Sequence, residues 1–198
     1  MSMQFWFEFA STYSYPAALR IERAAAARNV RIAWCPFLLG PIFAAQGWGD
    51  SPFNLFPAKG AYMWRDLERL CEAERLPWRR PSCFPRSGLL AARLACVAED
   101  EPWLPSFVRS VYCANFAEDR DITAVDEIGR LLTALDLPAS TWLDRAQSYD
   151  AKARLRARTE EAQRAGLFGA PSFVVAGELF WGNDRLEAAL DWAVCHGG

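Results

Sequence analysis

The stretch Met3 to Phe9 alternates strictly, with Phe5, Phe7 and Phe9 on one side and Gln4, Trp6 and Glu8 on the other. A period of two is a strand signal. The period then changes: Ala17, Ile21, Ala24 and Ala25 fall on one stripe of a helix predicted over Ser14 to Asn29. Pro16 is compatible with that helix because the first turn has no intrahelical acceptor for the missing N–H. Alternation returns in Val30 to Cys35, with Val30, Ile32 and Trp34 on one face. Strand, helix and strand within about 35 residues make a βαβ unit, which implies parallel strands and a right-handed crossover. A chain that begins in this way is an α/β chain.

The far end carries a complementary unit. Ser172 to Val175 and Glu178 to Trp181 are short apolar runs joined through Ala176-Gly177, a hairpin signal. Asn183 to Cys195 reads as a helix, with Leu186, Ala189, Leu190 and Ala193 at helical spacing. A charged helix over Ser148 to Ala165 precedes the hairpin and is closed by Gly166, a suitable left-handed cap.

Between the two units the signals are helical: Ala61 to Ala73, Ser87 to Ala98, Pro105 to Ala117, Ala124 to Leu135 and Ser140 to Gln147. Residues 38 to 60, LLGPIFAAQGWGDSPFNLFPAKG, read as a long, weakly patterned loop rich in Gly, Pro and aromatics, of a kind that is more often functional than idle. The order βαβ, helical block, α, ββα is that of a thioredoxin-like fold with an inserted all-helical domain. The expected division is 1–38 plus 151–198 for the thioredoxin-like part and 39–150 for the insertion. The GAPSF stretch, Gly169 to Phe173, sets Pro171 at the first position of a strand, the one place a strand tolerates proline. In thioredoxin-like folds that proline is cis and faces the start of the first helix, so the Ala170-Pro171 bond is predicted to be cis.

Composition removes several functions. Among 198 residues the net charge is −2, so no basic surface for nucleic acid or an anionic membrane is expected. No apolar run reaches the roughly 20 residues of a membrane span. The first residues lack a basic n-region and run straight into a strand, from which a cytoplasmic protein is expected. The six cysteines, Cys35, Cys71, Cys83, Cys96, Cys113 and Cys195, include no C-x-x-C pair and no zinc spacing, and are expected to be small buried apolar residues. The one histidine, His196, rules out a multi-histidine metal site and leaves a histidine-based triad only a residue near the end of the chain; no metal is expected.

Three stretches hold polar groups that could carry chemistry, and each also has a plain structural reading. In Ser11-Thr12-Tyr13-Ser14 two hydroxyls stand where a redox protein of similar outline would place two cysteines. Ser14 or Thr12 could simply cap the helix. Alternatively, the helix end and a hydroxyl together favour an anion by about 0.3–1 and 1.5–3 kcal/mol, enough to lower a bound thiol by one to two or more pKa units. A serine cannot form a disulfide, but it can hold the sulfur of another molecule. In FWGNDRLE, Asn183 or Asp184 could cap the last helix, Asp184 pairing with Glu187 in a capping box. The same groups could instead take both ends of an amino-acid moiety, helix N–H groups on its carboxylate and Asp184 on its ammonium. In SPFNLFPAKGAYMWRDLER, Asn54 and Lys59 are lone polar residues in an apolar loop followed by Tyr62; a solvated Lys59, with Arg65 and Asp66 on an outer helix face, is the ordinary account.

Taken in order, these motifs resemble one family. F-x-F-x-S-x-Y-S-Y at Phe7 to Tyr15, W-x-P-F-L-L-G at Trp34 to Gly40, P-A-K-x-x-Y-x-x-x-D-L at Pro57 to Leu67, G-A-P-S-F-V-V at Gly169 to Val175 and G-x-D-R at Gly182 to Arg185 are similar, nearly end to end, to 2-hydroxychromene-2-carboxylate isomerases. That group also contains kappa-class glutathione transferases and DsbA-like proteins. The resemblance implies a dimer with glutathione as cofactor. It places Ser11 at the glutathione sulfur, Asn183 and Asp184 at the γ-glutamyl end, and the backbone at Ala170 and Pro171 alongside the tripeptide like an added strand. Asn54 matches a loop position facing glutathione, and Lys59 and Tyr62 match positions facing a small aromatic carboxylate substrate. Many relatives have proline where this chain has Thr12. The implied reaction is cis–trans isomerisation of an aromatic-catabolic intermediate by transient addition of the glutathione thiolate. The alternatives are a kappa-like transferase or peroxidase, and a non-catalytic thioredoxin-like binding module. Ser11 and Ser14 in place of both redox cysteines argue against a disulfide oxidoreductase.

Overall fold

In the computed structural model, which describes residues 1–196, the first alternating run forms β1 (Ser2–Phe7). It pairs in parallel with β2 (Arg31–Pro36), Phe5 lying opposite Trp34. Helix α1 (Ser14–Ala26) makes the crossover, as its apolar stripe requires. The other edge of β1 carries β3 (Ser172–Val175) antiparallel, with Phe173 opposite Phe5, and β4 (Glu178–Trp181) pairs antiparallel beyond it. The strand order is therefore β2-β1-β3-β4. The hairpin turn has φ of 49° at Ala176 and 84° at Gly177, the two positive values a tight primed turn demands. This is a thioredoxin-like α/β fold with helices inserted in its middle.

Alternation along β1 divides the core in two. Phe5 and Phe7, fully buried, stack with each other and meet the ring of Trp34 edge-on, in a cluster that runs on through Phe173 and Tyr112. Trp6 points the opposite way, into a smaller cluster with Cys35, Phe37, Ile42 and Leu167. Both faces of the sheet are thus covered, as the parallel β1–β2 pair requires. Helix α9 (Tyr149–Arg164) ends at Gly166, whose φ is +76°. The carboxy-terminal helix, numbered α10 in chain order, is Leu186–His196. No helix among the described residues is long and apolar enough to cross a membrane.

Residues 38 to 60 are not a loop. They form α2 (Leu39–Ala45), α3 (Pro52–Leu55) and the first turn of α4 (Pro57–Glu74). Pro52 and Pro57 open α3 and α4, where the missing N–H costs nothing, and the Ser51 hydroxyl accepts the Phe53 N–H at 3.3 Å. Prolines that read as breakers are helix starts. Gly60 makes the α3–α4 corner possible: a Cβ there would lie 2.2 Å from the Phe53 carbonyl oxygen. Gly60→Ala is expected to lower stability by about 1–3 kcal/mol, measured by urea unfolding, because backbone rather than a movable side chain must yield.

The remaining helices, α5 (Leu89–Val97), α6 (Leu104–Phe116), α7 (Val125–Thr133) and α8 (Ala139–Gln147), lie within a residue or two of their expected bounds. The cysteines differ from expectation in part. Cys35, Cys71 and Cys96 are buried, whereas Cys83 and Cys195 are exposed and Cys113 is intermediate. Cys83 sits in an irregular connection and Cys195 in the last turn of α10, where apolar packing has run out.

Candidate active site

The turn from β1 into α1 is built by its own backbone. The Ser11 N–H donates to the Glu8 carbonyl at 2.9 Å, and the Tyr15 N–H to the Thr12 carbonyl at 3.3 Å. Glu8 is tied down again by the Tyr112 hydroxyl, which donates to the same carbonyl at 2.9 Å. Ser11 is thereby set at the helix tip. Its Oγ accepts the Ser14 N–H at 3.3 Å and donates to the Ala170 carbonyl at 2.8 Å. The Ala170-Pro171 bond is cis, as expected from the sequence, and it faces the first turn of α1. Residues 159 positions apart in the chain thus meet at one hydrogen bond.

Neither Thr12 nor Ser14 caps the helix. Tyr13 is the N-cap residue and makes no side-chain cap bond; the oxygen that serves the first turn belongs to Ser11. Thr12 is buried and spends its hydroxyl on the Met63 sulfur at 3.0 Å, pinning the turn to α4. The expected Asp184–Glu187 capping box is absent too. The chain enters a single 3₁₀ turn, Asn183–Arg185, from Gly182 at φ +109°, with no side-chain cap. Glu187 is drawn away by the Arg20 guanidinium at 2.5 Å.

Beside this tip lies a cavity of about 710 Å³. Ala170, Trp181, Asn183, Asp184 and Arg185 form one wall, and Tyr13, Asp66 and Arg69 the other. Its charged lining has two carboxylates, Asp66 and Asp184, and two guanidiniums, Arg69 and Arg185, which suits a zwitterion better than an ion of one sign. Asn183 is 5% exposed, with its Oδ1 accepting from Arg20 at 3.3 Å. Asp184 is open to solvent, 3.7 Å from Arg185.

Asp66 is not a solvated outer-face charge. The Tyr13 hydroxyl donates to it at 2.8 Å and Arg69 pairs with it at 3.1 Å. Burial first, and this bond to a carboxylate second, raise the Tyr13 phenol above its ordinary range, so it stays a donor at neutral pH. Of the expected site residues, Ala170, Asn183 and Asp184 line the cavity; Ser11 and Pro171 adjoin it through Ala170, and Asn54, Lys59 and Tyr62 do not line it. Asn54 is exposed and donates to Asp50 at 3.0 Å. Lys59 stands 5.9 Å from the centre of the Phe53 ring, which itself packs on Tyr13 at 6.2 Å. Tyr62 is 62% exposed, with the Arg69 guanidinium 5.7 Å over its ring. Lys59 and Tyr62 therefore border the Tyr13–Arg69 wall from outside, and Asn54 is held between Asp50 and the Phe84 carbonyl instead. Tyr13, Asp66, Arg69, Trp181 and Arg20 were not marked as site residues by the sequence. Tyr62, Asp66 and Arg69 do recur at helical spacing on α4, a pattern that would have grouped them.

Glu8 gives the turn a pH dependence. Burial, opposed by a hydrogen bond from Ala10, pushes its carboxyl up to about 7 from the ordinary 4.5. The folded chain therefore binds this proton more tightly than the unfolded one, so the group's destabilising effect is absent below pH 4.5 and grows as pH rises to about 7. Glu8→Gln is expected to flatten the stability-against-pH curve in that window, read from urea midpoints. An unchanged curve would contradict it.

The chain belongs to the DSBA-like thioredoxin domain family, which matches residues 2–191. Within it, the chain is 27% identical over 187 residues to the 2-hydroxychromene-2-carboxylate isomerase of Sphingobium xenophagum, covering 94% of each chain. It is 26% identical to human glutathione S-transferase kappa 1, over 94% of this chain and 88% of that protein. A solved 2-hydroxychromene-2-carboxylate isomerase structure superposes with a TM-score of 0.87 at 23% identity, covering 100% of this chain and 97% of that one, a likeness of fold.

Proposed function

We propose that this protein is a glutathione-dependent isomerase of 2-hydroxychromene-2-carboxylate-type compounds, acting in the cytoplasm as a homodimer. The observation that carries the reading is the Ser11 hydroxyl at the tip of α1, 2.8 Å from the carbonyl of Ala170 in the cis Ala170-Pro171 peptide, where Ala170 lines a cavity with charges of both signs. The names of the similar proteins support it. The donor set fits glutathione: a hydroxyl for sulfur, backbone at Ala170 for the peptide, and Asn183 with Asp184 for the amino-acid end.

Bound glutathione supplies a thiolate that adds reversibly to the conjugated substrate and so permits rotation about a former double bond. The chain's own residues hold and tune that group. Ser11 turns its hydrogen from the Ala170 carbonyl toward the sulfur and favours the anion, in concert with the N-terminus of α1. The freed Ala170 carbonyl becomes available to a main-chain N–H of the ligand. Asp184 faces the ammonium and Asn183 the carboxylate of the γ-glutamyl end. Tyr13, kept protonated, fixes the opposite wall through Asp66. Lys59 and Tyr62, outside that wall, would meet the substrate carboxylate and ring, and Asn54 the approach to them.

A kappa-like transferase or peroxidase would use the same cofactor site, and the kappa likeness favours it as the second reading. Comparing kcat/KM for the chromene carboxylate, chlorodinitrobenzene and cumene hydroperoxide, each with and without glutathione, separates the two. The isomerase reading expects the chromene to be the best substrate by at least about tenfold, which is about 1.4 kcal/mol in the barrier. A better rate with the electrophile or the peroxide overturns it, and no glutathione dependence with any substrate leaves only a binding module.

A further inference from the structure

We infer that Arg20 is a positioning residue that turns the Asn183 amide so that its hydrogens face the cavity, as donors for a ligand carboxylate; this deepens the glutathione reading and rests on it. Arg20 lies on α1 beyond the Ser11 turn, and its side chain is 12% exposed. Three different elements hold its guanidinium. Nε pairs with Glu74 of α4 at 3.2 Å, one Nη with Glu187 of α10 at 2.5 Å, and the other Nη donates to the Asn183 Oδ1 at 3.3 Å. Two carboxylates thus fix the plane of the fork, and its remaining edge meets Asn183.

A guanidinium can only donate. An amide beside it must present oxygen, so the partner's chemistry decides which way Asn183 points. The Nδ2 group is then at the other end. Among the described residues it has no protein acceptor, although Asn183 is 5% exposed and borders the cavity. Nδ2 is not among the enclosed polar atoms that lack a partner, so water reaches it from the cavity, and an anionic oxygen entering there takes that water's place in a charge-assisted hydrogen bond. The ammonium end of the same ligand is left to Asp184 across the 3₁₀ turn. Arg20 therefore acts on affinity without touching the ligand: freed from it, Asn183 can flip and offer its oxygen to a carboxylate.

Calorimetry with glutathione and with N-acetylcysteinylglycine, which lacks the γ-glutamyl carboxylate, tests this on the full chain. Arg20→Met is expected to weaken glutathione by about 10- to 100-fold and leave the truncated ligand unchanged. Asn183→Asp covers the case in which Arg20→Met does not fold. It keeps the bond to Arg20 and the thermal midpoint, but turns a carboxylate oxygen toward the cavity and loses glutathione to a similar degree. The double variant is expected to lose no more than either single one. Equal glutathione affinity in wild type and Arg20→Met, or equal weakening of both ligands, overturns the inference alone, as does an Asn183→Asp protein that binds glutathione normally. Wild type that binds no glutathione overturns it together with the reading it rests on.

Discussion

Ser11→Ala is expected to lower glutathione-dependent turnover by about 10- to 150-fold while glutathione still binds. The size follows from one interaction. A hydrogen bond from a hydroxyl to a charged group contributes about 1.5–3 kcal/mol, and each 1.36 kcal/mol is a factor of ten in rate. The substitution removes that bond but leaves the helix N-terminus, the Ala170 carbonyl and the Asn183–Asp184 turn in place, so the contacts proposed for the peptide and the γ-glutamyl end are expected to survive. The loss therefore falls on kcat far more than on KM. Stability should change little. Ser11 is partly exposed, and the bonds it loses, to Ser14 N–H and to Ala170, are at an edge that water reaches. Steady-state kinetics on the two proteins decides the matter, and equal turnover would dismiss Ser11 as the sulfur's partner.

Phe5→Ala is expected to cost about 3–5 kcal/mol of folding stability, as deletion of a large buried aromatic does. The ring is fully buried in the central strand and bridges three strands. It stacks on Phe7 at 5.2 Å and on Phe173 at 5.6 Å, and meets Trp34 edge-on at 5.2 Å. Its removal leaves a hole that neither β2 nor β3 can close without breaking ladder bonds on both sides of β1. For a chain of this size the thermal midpoint should fall by about 2–4 °C per kcal/mol. A fall within about 0.5 kcal/mol, the range of an ordinary surface change, would contradict the packing described. Trp6, on the opposite face, belongs to a separate cluster, so its substitution should add independently.

The strands and most helices were legible because period alone separates them: Phe5 and Phe7 repeat at two, while Ala17, Ile21 and Ala25 repeat at helical spacing. The turn Ala176-Gly177 and the cap at Gly166 were legible from residue chemistry. The segment from Leu38 to Gly60 was not, since α2 and α3 are too short to show a period and Pro52 and Pro57 can either stop or start a helix. Of the candidate site, Ser11, Asn183 and Asp184 could be named because local motifs mark turns and helix ends, whereas Ala170 and Pro171 entered as cofactor-facing backbone through the family resemblance. Their meeting depends on the strand order, which no local motif contains. Tyr13–Asp66 and Arg20–Asn183 were invisible for a sharper reason. A charged residue on an amphipathic helix looks the same whether it faces water or a partner from 53 or 163 positions away. Tyr13 also sits between Thr12 and Ser14, whose hydroxyls are the stronger local signal of a helix start.

In the proposed function, a hydroxyl at the tip of α1 steadies the sulfur of bound glutathione as an anion. Thiolate absorbance at 240 nm, titrated against pH with glutathione in slight deficit to the wild-type protein, reads that directly. An apparent thiol pKa at least about one unit below that of a free thiol near 8.5 is expected. A titration that coincides with free glutathione, at a protein concentration where binding is complete, would contradict it.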